Sequence, residues 1–158
     1  MSLYDFIHES NAIEGIHRAP TAEEIRAAER FMRLFDMSAS ALGDYQAVIA
    51  PGKPLRERSG QDVRVGDYIA PPGGPAILRR LQAIARDANR GADPWDVHIR
   101  FENLHPYMDG NGRTGRILWA WQMRGLGRQP FALSFLRRWY YETLSHVRLP
   151  KGSDNAPG

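Results

Sequence analysis

The chain has 158 residues, of which 42% are hydrophobic, 25% charged and none cysteine; this is enough apolar material for one core and too little chain for two ordinary domains. The formal net charge of +3 divides unevenly, with nine basic against eleven acidic residues over 1–79 and twelve against seven over 80–158. The composition excludes a disulfide framework, a zinc–thiolate site and a cysteine nucleophile, the acidic start MSLYDFIHES argues against a signal peptide, and no apolar run reaches membrane-spanning length, so a cytoplasmic protein without a membrane partner is expected.

In chain order, Leu3, Ile7, Ser10 and Glu14 fall on one helical stripe that ends in a carboxylate, and Gly15 suits the C-terminal cap. A second helix opens on a capping box from Thr21 to Glu24 and is expected to carry Ile25, Ala28, Met32 and Phe35 on one face. Ser38 suits the cap of a third, with Leu42, Tyr45, Val48 and Ile49 inward and Pro51-Gly52 as its stop. From Pro51 to Pro75 the helical period vanishes. Within it Val63-Arg64-Val65, Gly66-Asp67 and Tyr68-Ile69-Ala70 read as a hairpin with a two-residue turn, a solvated loop being the alternative. A fourth helix carries Ile77, Leu78, Leu81, Ile84 and Ala88 and ends near Gly91. Asp93-Pro94 opens a fifth that runs towards Leu104. The apolar period resumes at Ile117, Leu118 and Trp121 with Gly125 as a stop, and a last helix takes Phe135, Leu136, Trp139, Tyr140, Leu144 and Val147. One domain over 1–150 and a disordered tail over 151–158 are expected.

Between the fifth and sixth helices, residues 105–116 (HPYMDGNGRTGR) gather a base, an acid, an amide, three glycines and two arginines. Gly110 and Gly112 allow backbone N–H groups to converge on an anion, and the helix that follows presents its positive end to the same point. Arg113 and Arg116 lie one turn apart, the first able to reach that anion and the second pointing to its rim. Asp109 suits Mg2+, which takes one or two carboxylates together with phosphate oxygens. His105 suits a general base. A plain Gly-rich interhelical turn is the alternative, and the density of chemical groups weighs against it. The same glycines match a G-x-G-x-x-G dinucleotide fingerprint, but no strand precedes them; no Gly-Lys-Ser/Thr triplet offers a P-loop.

The twelve residues resemble the Fic motif, H-P-F-x-[D/E]-G-N-G-R-x-x-R, with Tyr107 in place of Phe. The resemblance extends to Tyr68–Pro72 as the end of a flap hairpin (60–72) and to Ser134, Tyr140-Tyr141 and Leu144. It implies a mainly α fold, a compact Fic-like helical bundle with a short β-hairpin flap. It also implies transfer of AMP from ATP, with Mg2+, to a Ser, Thr or Tyr hydroxyl of a target protein, with release of pyrophosphate. By resemblance His105 is the base, Asp109 holds Mg2+, Gly110, Asn111 and Gly112 form the anion hole and Arg113 neutralises the leaving charge. Tyr107 anchors the loop, its hydroxyl needing a polar partner if buried. Tyr68, Ile69 and Ala70 dock the target, and Tyr140 or Tyr141 lines the base pocket. Ser10, Glu14 and Gly15 resemble the family's inhibitory motif, [S/T]-x-x-x-E-[G/N], within residues 1–16; there Glu14 pairs with Arg116 and holds ATP in an unproductive pose. An exposed carboxylate near a helix end is the plainer reading of Glu14.

Rival readings are the same fold with another donor, by UMP, phosphocholine or phosphate transfer, and a non-catalytic nucleotide-binding module. Gly112-Arg113 stands where the phosphate-transferring branch tends to have Lys, and a binder has no need of His105. The basic half raises nonspecific nucleic-acid binding as a further class, while a specific nucleic-acid partner is not expected. His8, His17, His98 and His146 lack metal-site spacing, and Trp95, Trp119, Trp121 and Trp139 suit a core. The sequence neither requires nor excludes a homodimer and leaves the target and the trigger open.

Overall fold

The computed structural model describes residues 2–131. Six α-helices, α1 (Leu3–Ile13), α2 (Ala22–Met32), α3 (Ala39–Ile49), α4 (Pro75–Asn89), α5 (Pro94–Leu104) and α6 (Asn111–Gly125), are joined by a hairpin of β1 (Arg64–Val65) and β2 (Tyr68–Ile69) between α3 and α4. The fold of the described residues is therefore mainly helical with one small antiparallel sheet. The expected last helix with Ser134, Trp139, Tyr140, Tyr141 and Leu144, and the tail over 151–158, lie outside the described residues.

Local chemistry sets most helix boundaries. Thr21 and Glu24 form a reciprocal capping box at the start of α2, Ser38 Oγ accepts from Ala41 N at α3, and Asp93 accepts from Trp95 N and Asp96 N ahead of Pro94 at α5. α2 ends at Met32, so Phe35 is not on its buried face as the sequence suggested. The helical period no longer applies beyond the C-cap at Arg33, and Phe35 is 94% exposed. The hairpin is real and shorter than its apolar run, with Arg64 opposite Ile69 and Val65 opposite Tyr68. Gly66 takes the positive φ of 58° that a two-residue turn requires.

α6 is the central helix. Every residue from Arg113 to Ala120 is buried, and it packs against α1, α2, α3 and α5. It begins at Asn111, six positions before the apolar period resumes, because its first turns carry the polar residues of the site rather than a core stripe. Phe6 and Ile7 of α1, Phe31 of α2, Leu42 of α3, Leu81 of α4 and Phe101 of α5 converge with Ile117 and Leu118 in one core. Trp119 is buried beside Trp95, with ring centroids 5.6 Å apart, while Trp95 and Trp121 are partly buried. No helix of the described residues is long and apolar enough to cross a membrane.

Candidate active site

α5 ends at His105, whose backbone turns left-handed (φ 50°, ψ 61°). Pro106 disfavours the right-handed helical conformation for the residue before it, and a non-glycine residue held at positive φ costs on the order of 1 kcal/mol. The His105 ring is half-buried, with Nδ1 3.3 Å from the Glu102 carbonyl. A carbonyl only accepts, so this contact favours the hydrogen on Nδ1 and the lone pair on Nε2, the tautomer a base requires.

The turn from 105 to 111 is pinned from within. Asn111 Oδ1 accepts from Tyr107 N and its Nδ2 donates to Tyr107 O, both at 2.8 Å. The Asn111 side chain therefore shapes the loop and is not directed at an anion. From α3, Gln46 Nε2 donates to the carbonyls of Lys53 at 2.6 Å and Asp109 at 3.1 Å. Gly110 caps α6 with φ 80°, and Asp109 Oδ1 accepts from Gly110 N at 2.7 Å. The first turn of α6 at Asn111, Gly112 and Arg113 thus presents N–H groups that have no acceptor within the helix. Arg113 is buried, donates from Nη1 to the Ile49 carbonyl at 2.9 Å, and keeps Nε without a hydrogen-bond partner among the described residues.

Arg116 is not a rim residue, contrary to its reading from helical spacing alone; it is 1% exposed. Its Nε donates to Ser10 Oγ at 2.7 Å, and its Nη2 donates to Ser10 O at 3.0 Å and to Glu14 Oε1 at 2.5 Å. α1 therefore ends on α6, with Glu14 as its C-cap and Gly15 next in the chain. A Cβ on Gly112 would collide with Glu14 Oε1, so the carboxylate lies directly against the first turn of α6. A negative group is favoured there by the helix dipole.

Asp109 is exposed beside this turn. No group of three or more His, Cys, Asp or Glu side chains that could hold a metal occurs among the described residues. One carboxylate next to a turn with N–H groups free of intrahelical acceptors is the donor set that would fit Mg2+ carried in on phosphate oxygens, and does not fit an all-protein cage. In the hairpin, the Tyr68 hydroxyl donates to the Asn103 carbonyl at 2.5 Å, Ile69 is 68% exposed, and Ala70 is buried with its N–H on Val63 O at 3.3 Å. Of the three expected docking residues only Ile69 offers an exposed side chain. Tyr140 and Tyr141, expected at a base pocket, lie outside the described residues.

The family model of the Fic/DOC family matches residues 9–123. The chain belongs to the Fic/DOC family. That match runs from the C-terminal half of α1 through α6, and members of the Fic/DOC family are typically transferases. Tyr107, which departs from the family's Phe, is 2% exposed and bridges antiparallel to Leu55. Its hydroxyl has no hydrogen bond among the described residues, and burial pushes its pKa upward.

Gln46 and Arg56 hold this site together although no sequence motif marks either. Arg56 is 0% exposed, and its guanidinium donates to the carbonyls of His105 at 2.6 Å, Leu104 at 2.8 Å, Pro71 at 2.8 Å and Gln61 at 3.0 Å. An arginine in a Pro- and Gly-rich stretch gives no sign of burial.

Proposed function

We propose that this Fic/DOC protein transfers AMP from ATP to a hydroxyl of a target protein and that Glu14 holds it inactive. The observation that carries the reading is the Glu14 carboxylate lodged against Gly112 and paired with Arg116. It lies at a helix N-terminus with no side-chain cap, which suits a polyphosphate. Two anions competing for one helix end and one arginine repel each other, which supports an inhibitory role.

In this reading the first turn of α6 binds the phosphates, with the charge of Arg113 beside it favouring the leaving group. His105 Nε2 takes the proton of the target hydroxyl as its oxygen bonds to the α-phosphorus. The bond from that phosphorus to the bridging oxygen breaks, and pyrophosphate leaves. Asp109 would hold Mg2+, which when bound supplies charge neutralisation at the phosphates. Such a transfer relies chiefly on positioning and charge stabilisation, and the chain's residues offer both. The exposed edge at Ile69 suits backbone pairing with an extended target segment.

The test uses ATP labelled in the α-phosphate, with self-modification followed by label and intact mass. Wild type, Glu14→Gly, and Glu14→Gly combined with His105→Ala are compared. Label only in the Glu14→Gly single variant is the expected result. No label in any variant, with ATP still bound, would overturn the reading in favour of another donor or a binding module.

A further inference from the structure

The buried Arg56 cation calls for an explanation, because a fully desolvated guanidinium is costly unless its donors are satisfied. Among the described residues it has no ion pair; burial depresses its pKa and the charge of Asp62 offsets this in part. Its four acceptors are all backbone carbonyls, in two groups. Leu104 and His105 lie at the C-terminus of α5, where carbonyls lack intrahelical partners and the helix dipole is negative. Gln61 and Pro71 lie on the two arms of the hairpin loop, just outside β1 and β2.

The backbone reinforces this junction. Arg56 N donates to Pro106 O at 2.8 Å, Gly74 N donates to Arg56 O at 2.9 Å, and Met108 N donates to Pro54 O at 3.0 Å. One side chain thus ties the peptide of His105 to both arms of the hairpin. A guanidinium fork can serve four carbonyls at fixed angles, whereas an ammonium is a point charge with three donors.

We propose that Arg56 is a positioning residue that locks the His105 base and the flap hairpin into one rigid unit, fixing the reach between the base and a target hydroxyl docked on the flap. This rests on the reading of His105 as base and of the hairpin as the docking edge. The turn assigned to the phosphates is shaped by other contacts, those of Asn111 with Tyr107 and of Gln46 with Lys53 and Asp109. Loss of Arg56 therefore lowers turnover rather than ATP affinity.

The experiment places Arg56→Lys in the Glu14→Gly background of the full chain. ATP Kd within about threefold of the reference and kcat reduced at least about tenfold are expected, since small misplacements of reacting groups cost turnover steeply. In selectively 15N-histidine-labelled protein, the His105 ring resonances shift while those of His98 stay. Loss of label in proportion to the unfolded fraction, with His105 resonances unchanged in the folded protein, would mean a merely structural role and overturn the proposal. If Arg56→Lys does not fold, native-state hydrogen exchange of the unsubstituted chain decides. The amides of Ala70, Tyr107 and Met108 are expected to open as one cooperative unit, and independent opening of Ala70 at much lower free energy overturns the coupling. If the Glu14→Gly reference itself transfers nothing, the catalytic reading fails, while the resonances and exchange still decide whether Arg56 joins His105 to the hairpin.

Discussion

Glu14 accepts from Arg116 at 2.5 Å with its carboxylate oxygen in the space that a Cβ on Gly112 would occupy. The pair is possible only because position 112 has no side chain. Gly112→Ala is expected to destabilise the wild-type chain, and to do so much less when Glu14→Gly has removed the obstructing carboxylate. A double-mutant cycle by urea unfolding should return a coupling on the order of 1 kcal/mol. Strictly additive costs would show that the carboxylate is not seated against the helix.

Gly115 lies one turn further along α6, in close contact with α5. A Cβ there would stand 2.5 Å from Glu102 Oε1 and 2.9 Å from Phe101 Cδ1. The Gly115 carbonyl also meets His98 Nδ1 at 2.9 Å. Gly115→Ala must push the two helices apart and should cost about 1–3 kcal/mol by chemical denaturation. A change within experimental error would contradict the packing.

Tyr107 buries a hydroxyl that makes no hydrogen bond among the described residues. Tyr107→Phe removes that desolvation cost and keeps the ring, so the variant should be more stable by about 1 kcal/mol. Thermal unfolding of the two proteins in parallel tests this. A clear loss of stability would show that the hydroxyl has a partner in the folded chain.

Glu24 is held below the usual carboxylate range chiefly by its hydrogen bond from Arg18, with Thr21 N contributing. A carboxyl whose folded pKa is depressed adds stability above its unfolded value of 4.5 and loses it as pH falls through the folded value. Arg18→Ala should therefore be less stable than wild type near neutral pH, by a modest amount because Arg18 is half exposed. The two stability curves should converge as the pH drops below the depressed value. Urea unfolding from pH 3 to 7 measures this, and parallel curves would refute it.

Legibility in the sequence followed the range of the interactions. Thr21 with Glu24, Ser38, and Asp93 with Pro94 act within three residues, so their helix starts could be read directly. The apolar period carried past Arg33 would bury Phe35, but the helix has already closed there. Glu14 and Arg116 were matched through two motifs, and their geometry adds what neither motif carries, the contact with Gly112. Arg56 could not be found this way. Its partners at Leu104 and His105 are 48 and 49 positions distant and are backbone carbonyls, which leave no residue signature.

The order of synthesis gives the α1–α6 contact a further meaning. Ser10 meets Arg116 across 106 positions, and a ribosome makes the carboxylate-bearing helix first. The first turn of α6 therefore folds against a Glu14 that already exists in the same chain. In the proposed reading, no newly made molecule passes through an unguarded stage, and activity has to be released after folding rather than suppressed after it.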